Sequence, residues 1–115
     1  MDFEIDDDLD RIALVKLGER LDFRNAGDLR DSCISQLRNG VDHFIFDFAE
    51  TETLDSTGLS AIFTLYRKLK PTEGQIVFVN VGPNVQAVVR LTSTEQIFAF
   101  YPDVDTARRE LIQTA

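Results

Sequence analysis

Leu54-Asp55-Ser56-Thr57-Gly58-Leu59 follows a very apolar run, Phe44-Ile45-Phe46-Asp47-Phe48, and opens a stretch with helical spacing. The run reads as a strand and the stretch as a helix, so the hexapeptide is a strand-to-helix corner. Part of its chemistry is that of any helix start. Asp, Ser and Thr accept hydrogen bonds from the free amides of a first turn, and glycine permits close backbone approach. A hydroxyl directly after an acid, at such a corner, is also a place where a phosphoryl group can be added and read. That points to a switch rather than a catalyst.

Downstream, Leu59, Ile62, Phe63, Tyr66 and Leu69 mark the core side of the helix. The polar side of its first two turns is left to meet a partner. Arg67, Lys68 and Lys70 suit the negative end of the helix dipole and read as a solvated end, and Pro71 stops the helix. Gln75 to Val81 is a third strong strand. Gly82-Pro83-Asn84 starts a short helix through Leu91, and Gln96 to Phe100 suggests a short final strand. Asp103 caps a last helix with Val104, Ala107, Leu111 and Ile112 facing inward.

Upstream, Val41 to Phe48 is apolar on both faces, as expected of a strand covered by helices. Before it, Ala26, Leu29, Cys33 and Leu37 share one helical face, with Asp22 or Asn25 as the cap and Asn39-Gly40 as the left-handed stop. Phe3-Glu4-Ile5 alternates, Asp6-Asp7-Asp8 reads as a solvated acidic turn, and Ile12 to Leu17 completes a hairpin. The order is β-β-α-β-α-β-α-(β)-α. Strand–helix–strand units favour parallel pairing with right-handed crossovers. The expected fold is α/β: one domain over residues 1–115, with a mixed β-sheet packed against about four α-helices. The sheet combines an N-terminal antiparallel hairpin with parallel strands.

A chain of 115 residues is one ordinary domain, and 43% hydrophobic with 28% charged residues is a globular balance. The formal net charge of −8 repels phosphate backbones and anionic lipid, so neither nucleic acid nor membrane is an expected partner. A basic protein surface is attracted instead. Cys33 is the lone cysteine, on an apolar face, and reads as a buried, inert thiol. No basic-then-apolar leader occurs, nor a run of about eighteen apolar residues. Cytoplasmic residence and a monomer are the expectations.

Catalytic chemistry finds little support. His43, the lone histidine, has no Ser or Cys partner evident in sequence for a nucleophilic triad, and no His/Cys spacing suits zinc. The acidic turn lacks the spaced oxygens and distal glutamate of a calcium loop. No phosphate-cradling glycine motif is present. The stretch resembles the Asp-Ser/Thr-Gly signature of aspartic proteases, but one residue too many separates Asp55 from Gly58, and a helix follows where that enzyme needs a flap and a strand. No catalytic residue, metal or cofactor is expected.

Over nearly its whole length the chain resembles the STAS domain of bacterial anti-sigma factor antagonists. Gly18 to Ala26 is similar to that family's approach to the first helix, with one residue more. Phe46-Asp47-Phe48 resembles its central strand, Leu54 to Leu59 its phosphorylation motif, Val81 to Leu91 its third helix, and Ile97-Phe98 the segment that follows. The resemblance implies a non-enzymatic regulator. Ser56 is the implied acceptor, phosphorylated by a serine kinase that is also the anti-sigma factor and restored by a serine phosphatase. Asp22 and Asp55 are implied to flank the docking corner, with Thr57, Gly58, Leu59 and Ser60 beside them. Thr57 and Ser60 are alternative hydroxyls. Ser60 stands where the family commonly has glycine, and Glu50-Thr51-Glu52-Thr53 is less apolar than usual. A STAS module docked permanently in a transport or signalling complex is the alternative.

Overall fold

The computed structural model describes residues 3–7 and 11–114. Strands β1 (Phe3–Asp7) and β2 (Ile12–Leu17) form the antiparallel pair, with Phe3 opposite Leu17 and Asp7 opposite Ala13. Strands β4 (His43–Asp47), β6 (Ile76–Val79) and β7 (Ala99–Tyr101) extend the sheet in parallel, in the order β1-β2-β4-β6-β7. A second, two-stranded parallel sheet pairs β3 (Arg20–Leu21) with β5 (Thr53–Leu54). The helices are α1 (Ala26–Arg38), α2 (Ser56–Leu69), α3 (Pro83–Leu91) and α4 (Val104–Thr114).

Alternation along the strands divides the core between the two sheet faces. Ala13, Val15, Phe44, Phe46 and Phe78 face one layer, where they meet Leu29 and Cys33 of α1, Leu59, Ile62 and Leu65 of α2, and Val85 and Val89 of α3. Ile12, Ile45, Val77 and Val79 face the other, covered by Ala107 and Leu111 of α4. This is why β4 and β6 are apolar at nearly every position. Phe78 anchors the larger layer, with its ring 4.9 Å from Phe48, 5.2 Å from Phe98 and 5.0 Å from Phe100. Burial pushes the Cys33 thiol up to about 12, so the thiolate is scarce. Gly40, at φ +103°, supplies the left-handed turn after α1.

Four local expectations need correction. Asp6 and Asp7 lie within β1, opposite Leu14 and Ala13, because the ladder runs on through them; Asp8 lies outside the described residues. The last strand starts later than expected, because a 3-10 turn over Thr94–Gln96 precedes it and turns Phe98 into the aromatic cluster. Pro71 does not stop the chain's winding at once; it sits inside a 3-10 turn, Lys70–Thr72, that extends α2. Ile112 is 45% exposed, since Ala107 and Leu111 already fill the stripe of α4 that meets the sheet.

Candidate functional site

The corner at Asp55 is built by the small sheet. Arg20 pairs with Thr53 and Leu21 with Leu54, joining the segment after β2 to the segment after β4. Neighbouring bonds tighten the seam. The Glu19 carbonyl accepts from the Glu52 N–H at 2.7 Å, the Gly18 carbonyl from the Thr51 hydroxyl at 2.8 Å, and the Leu21 carbonyl from the Asp55 N–H at 3.3 Å.

Asp55 is the N-cap of α2, with extended backbone. Its Oδ1 accepts from the Gly58 N–H at 2.8 Å, satisfying one of the free amides of the first turn. Its Oδ2 accepts from the Phe23 N–H at 3.1 Å. One carboxylate therefore fastens the start of α2 to the turn that leads into α1. Gly58 is where α2 and β3 touch: a Cβ there would lie 2.5 Å from the Leu21 carbonyl oxygen and 2.8 Å from Leu21 Cγ.

The turn from Asp22 to Ala26 is tightly bonded. Asn25 occupies the cap position of α1, yet its side chain does not cap the helix. Asn25 Oδ1 accepts from the Asp22 N–H at 3.0 Å, and its Nδ2 donates to the Arg20 carbonyl at 2.8 Å. The Asp22 carboxylate accepts from the Arg24 N–H at 3.0 Å and from Arg24 Nη2 at 2.6 Å. The Arg24 side-chain bonds hold the Asp22 carboxyl below the usual aspartate range.

The seven expected site residues thus separate by depth. Ser56, first residue of α2, is exposed, and so are Thr57 and Ser60. Ser56 and Ser60 share a helix face at i, i+4. Asp55 is half-buried. Asp22, Gly58 and Leu59 are buried and support the corner from behind. Sequence reasoning passed over Phe23, which is 73% exposed beside them. Its signal was a large apolar residue inside a polar Asp-Phe-Arg-Asn turn. It also passed over the bond from Asn84 Nδ2 to Glu52 Oε2 at 3.1 Å, which ties the start of α3 to the segment before the corner.

The arrangement suits a hydroxyl that is acted upon. Asp55 already holds two amides, so it is not placed as a free base for Ser56. His43 stands at the opposite end of β4, where its Nδ1 accepts from the Gln75 N–H at 3.0 Å. Among the described residues no group of three His, Cys, Asp or Glu side chains could hold a metal ion, and no helix is long and apolar enough to cross a membrane.

The model of the STAS domain matches residues 5–107, which include β2 to β7, most of β1, the Asp55 corner and α1 to α3. The chain belongs to the STAS domain family. Several solved STAS structures share its fold. A protein from Thermotoga maritima described as a candidate anti-sigma factor antagonist superposes with a TM-score of 0.87 at 20% identity, over 95% of this chain and 93% of that one. The anti-sigma factor antagonist SpoIIAA of Bacillus, in its unphosphorylated form, gives 0.77 at 15% identity, over 98% and 99%. A different setting is the murine anion transporter Slc26a9, where the likeness has a TM-score of 0.75 at 19% identity and covers 90% of this STAS domain but 18% of the transporter chain. These superpositions establish a common fold, a mixed five-stranded sheet with four helices.

Proposed function

We propose that this STAS domain is an anti-sigma factor antagonist. Unphosphorylated, it binds a serine-kinase anti-sigma factor in the cytoplasm, as a monomer, and so releases the sigma factor. Phosphorylation of Ser56 by that kinase switches it off, and a serine phosphatase restores it. The observation that carries this reading is exposed Ser56 at the first position of a helix that Asp55 caps. Thr57 and Ser60 share the contact surface. Asp22, Asp55, Gly58 and Leu59 hold it in shape.

The physics of the switch has opposite signs inside and outside the molecule. A phosphoryl group adds about −1.5 to −2 charge at neutral pH. Within the domain that charge faces the positive end of α2, which tolerates it, so the fold persists. Across a tight contact the dianion, beside Asp55, must shed its water. An unpaired buried charge typically costs several kcal/mol, and about 2.7 kcal/mol is already a hundredfold in affinity. The domain supplies no catalysis; ATP and magnesium belong to the kinase, whose site positions the reaction.

The experiment is phosphorylation with purified anti-sigma serine kinases and ATP, with the modified residue mapped by mass spectrometry. Ser56 is the expected site. Ser56→Ala is expected to stay unlabelled yet bind, and Ser56→Asp to lose at least a hundredfold in affinity while melting like the wild type. Labelling elsewhere, or tight binding by the phosphorylated form, would remove the proposal. The likeness to the Slc26a9 domain supports a second reading, a static docking module of a transport complex. In that case no kinase labels Ser56 and Ser56→Asp loses no partner.

A further inference from the structure

We infer that Phe23 is the apolar anchor by which the kinase grips this domain, inserted into an apolar pocket with a basic rim beside the kinase's active site. The inference rests on the proposed phosphorylation of Ser56 and names the contact that makes it selective. Phe23 is a large aromatic left 73% exposed, whereas Leu21, two residues before it, is fully buried in the larger core layer. Arg24 lies over one side of its ring, 5.7 Å from guanidinium carbon to ring centre, and leaves the remainder open. Exposed side chains of this kind dominate binding where they fill a pocket.

The residue is also presented rigidly. Its N–H is held by Asp55 Oδ2, and the same carboxylate caps the helix that begins with Ser56. The turn on its other side is locked by the Asp22–Arg24 and Asp22–Asn25 bonds. The Phe23 backbone and the start of α2 are therefore fastened by one carboxylate, so a partner that reaches the Ser56 hydroxyl meets residue 23 at a fixed backbone position. Preorganisation of this kind lowers the ordering cost of binding. The partner's chemistry follows from the surroundings. Glu19, Asp28, Glu50 and Glu52 are exposed on the same segments, while the Arg24 charge is matched by Asp22. A basic rim complements that field. A second copy of this chain would bring like charges together.

Alanine at this position keeps the backbone N–H, hence the Asp55 bond and the helix cap. The test compares wild type, Phe23→Ala and Phe23→Leu against the purified anti-sigma kinase that labels Ser56. Binding is measured with ADP and magnesium, and labelling rates with ATP. Phe23→Ala is expected to melt like the wild type, to bind about 30-fold more weakly, and to raise the KM for Ser56 labelling with kcat unchanged. Phe23→Leu is expected to recover most of the affinity. Normal labelling and binding of Phe23→Ala within twofold of wild type would overturn the inference and leave the phosphorylation reading standing. Loss of a self-associated species with kinase binding intact would overturn it in favour of a contact between copies. If no kinase labels Ser56, both fall together.

Discussion

His43 shows how one side chain can make this fold respond to pH without belonging to the site. Its Nδ1 accepts the Gln75 N–H and so ties the start of β4 to the start of β6. Burial, opposed by the nearby Asp42 charge, lowers its pKa from the ordinary 6.5. The folded protein then binds fewer protons than the unfolded chain between that lowered value and 6.5. Stability is therefore complete above 6.5 and declines as pH falls through this window. His43→Asn keeps an acceptor near the Nδ1 position and cannot titrate. Melting curves between about pH 7.5 and pH 5 are expected to fall more steeply for wild type than for His43→Asn; parallel curves would show that the ring is not the source. Single residues were unevenly legible in the sequence. A helix start at Asp55-Ser56-Thr57 was legible because free first-turn amides and their acceptors are local, but which of the three caps the helix was not; it is Asp55. Asp22 was read as a flanking acid, whereas its carboxylate is covered by Arg24, two residues on. The choice between pointing outward and folding back is made by the whole turn, including Asn25 and the Arg20 carbonyl.

At the scale of elements, what decides the corner is the contact of α2 with β3. The long strands and the helices were legible because their apolar residues repeat with period two or between three and four over many positions. The pair of β3 and β5 was not, because two residues carry no period and the partners lie over thirty positions apart. Its cause is tertiary. Leu21 and Leu54 are buried against the core, and the Leu21 carbonyl, shut off from water, accepts from the N–H of Asp55 rather than solvent. Gly58 records this contact in the sequence, since only a missing side chain lets α2 approach the Leu21 carbonyl. Gly58→Ala tests it against propensity. In a free helix, alanine would stabilise by about 1 kcal/mol. Here its methyl would strike backbone at 2.5 Å, and relief requires the seam to open. A net loss of about 1–3 kcal/mol is expected from the urea midpoint. A neutral or stabilised variant would mean that β3 yields easily and that the corner is not rigid.

For the molecule as a whole, net charge and size together determine how a partner finds it. The principal extents are 31 × 26 × 24 Å, and the formal charge is −8. At low salt the screening length, about 30 Å at 0.01 M, spans the domain, so an approaching basic partner feels the charge of the entire surface. Near 0.5 M the length is only a few ångströms, and only charges next to the contact act. Steering should therefore vanish with salt while the packed contact, centred on uncharged groups at Ser56 and its neighbours, persists. Stopped-flow binding to the kinase is expected to show the association rate falling about tenfold or more from about 0.02 M to 0.5 M salt, with dissociation changing by no more than about twofold. A salt effect carried mainly by dissociation would instead place charged pairs inside the contact. The carboxylates before the corner, Glu50 and Glu52, would then be direct contacts rather than part of a distant field, and Glu52→Gln would slow neither approach nor steering but shorten the complex's lifetime.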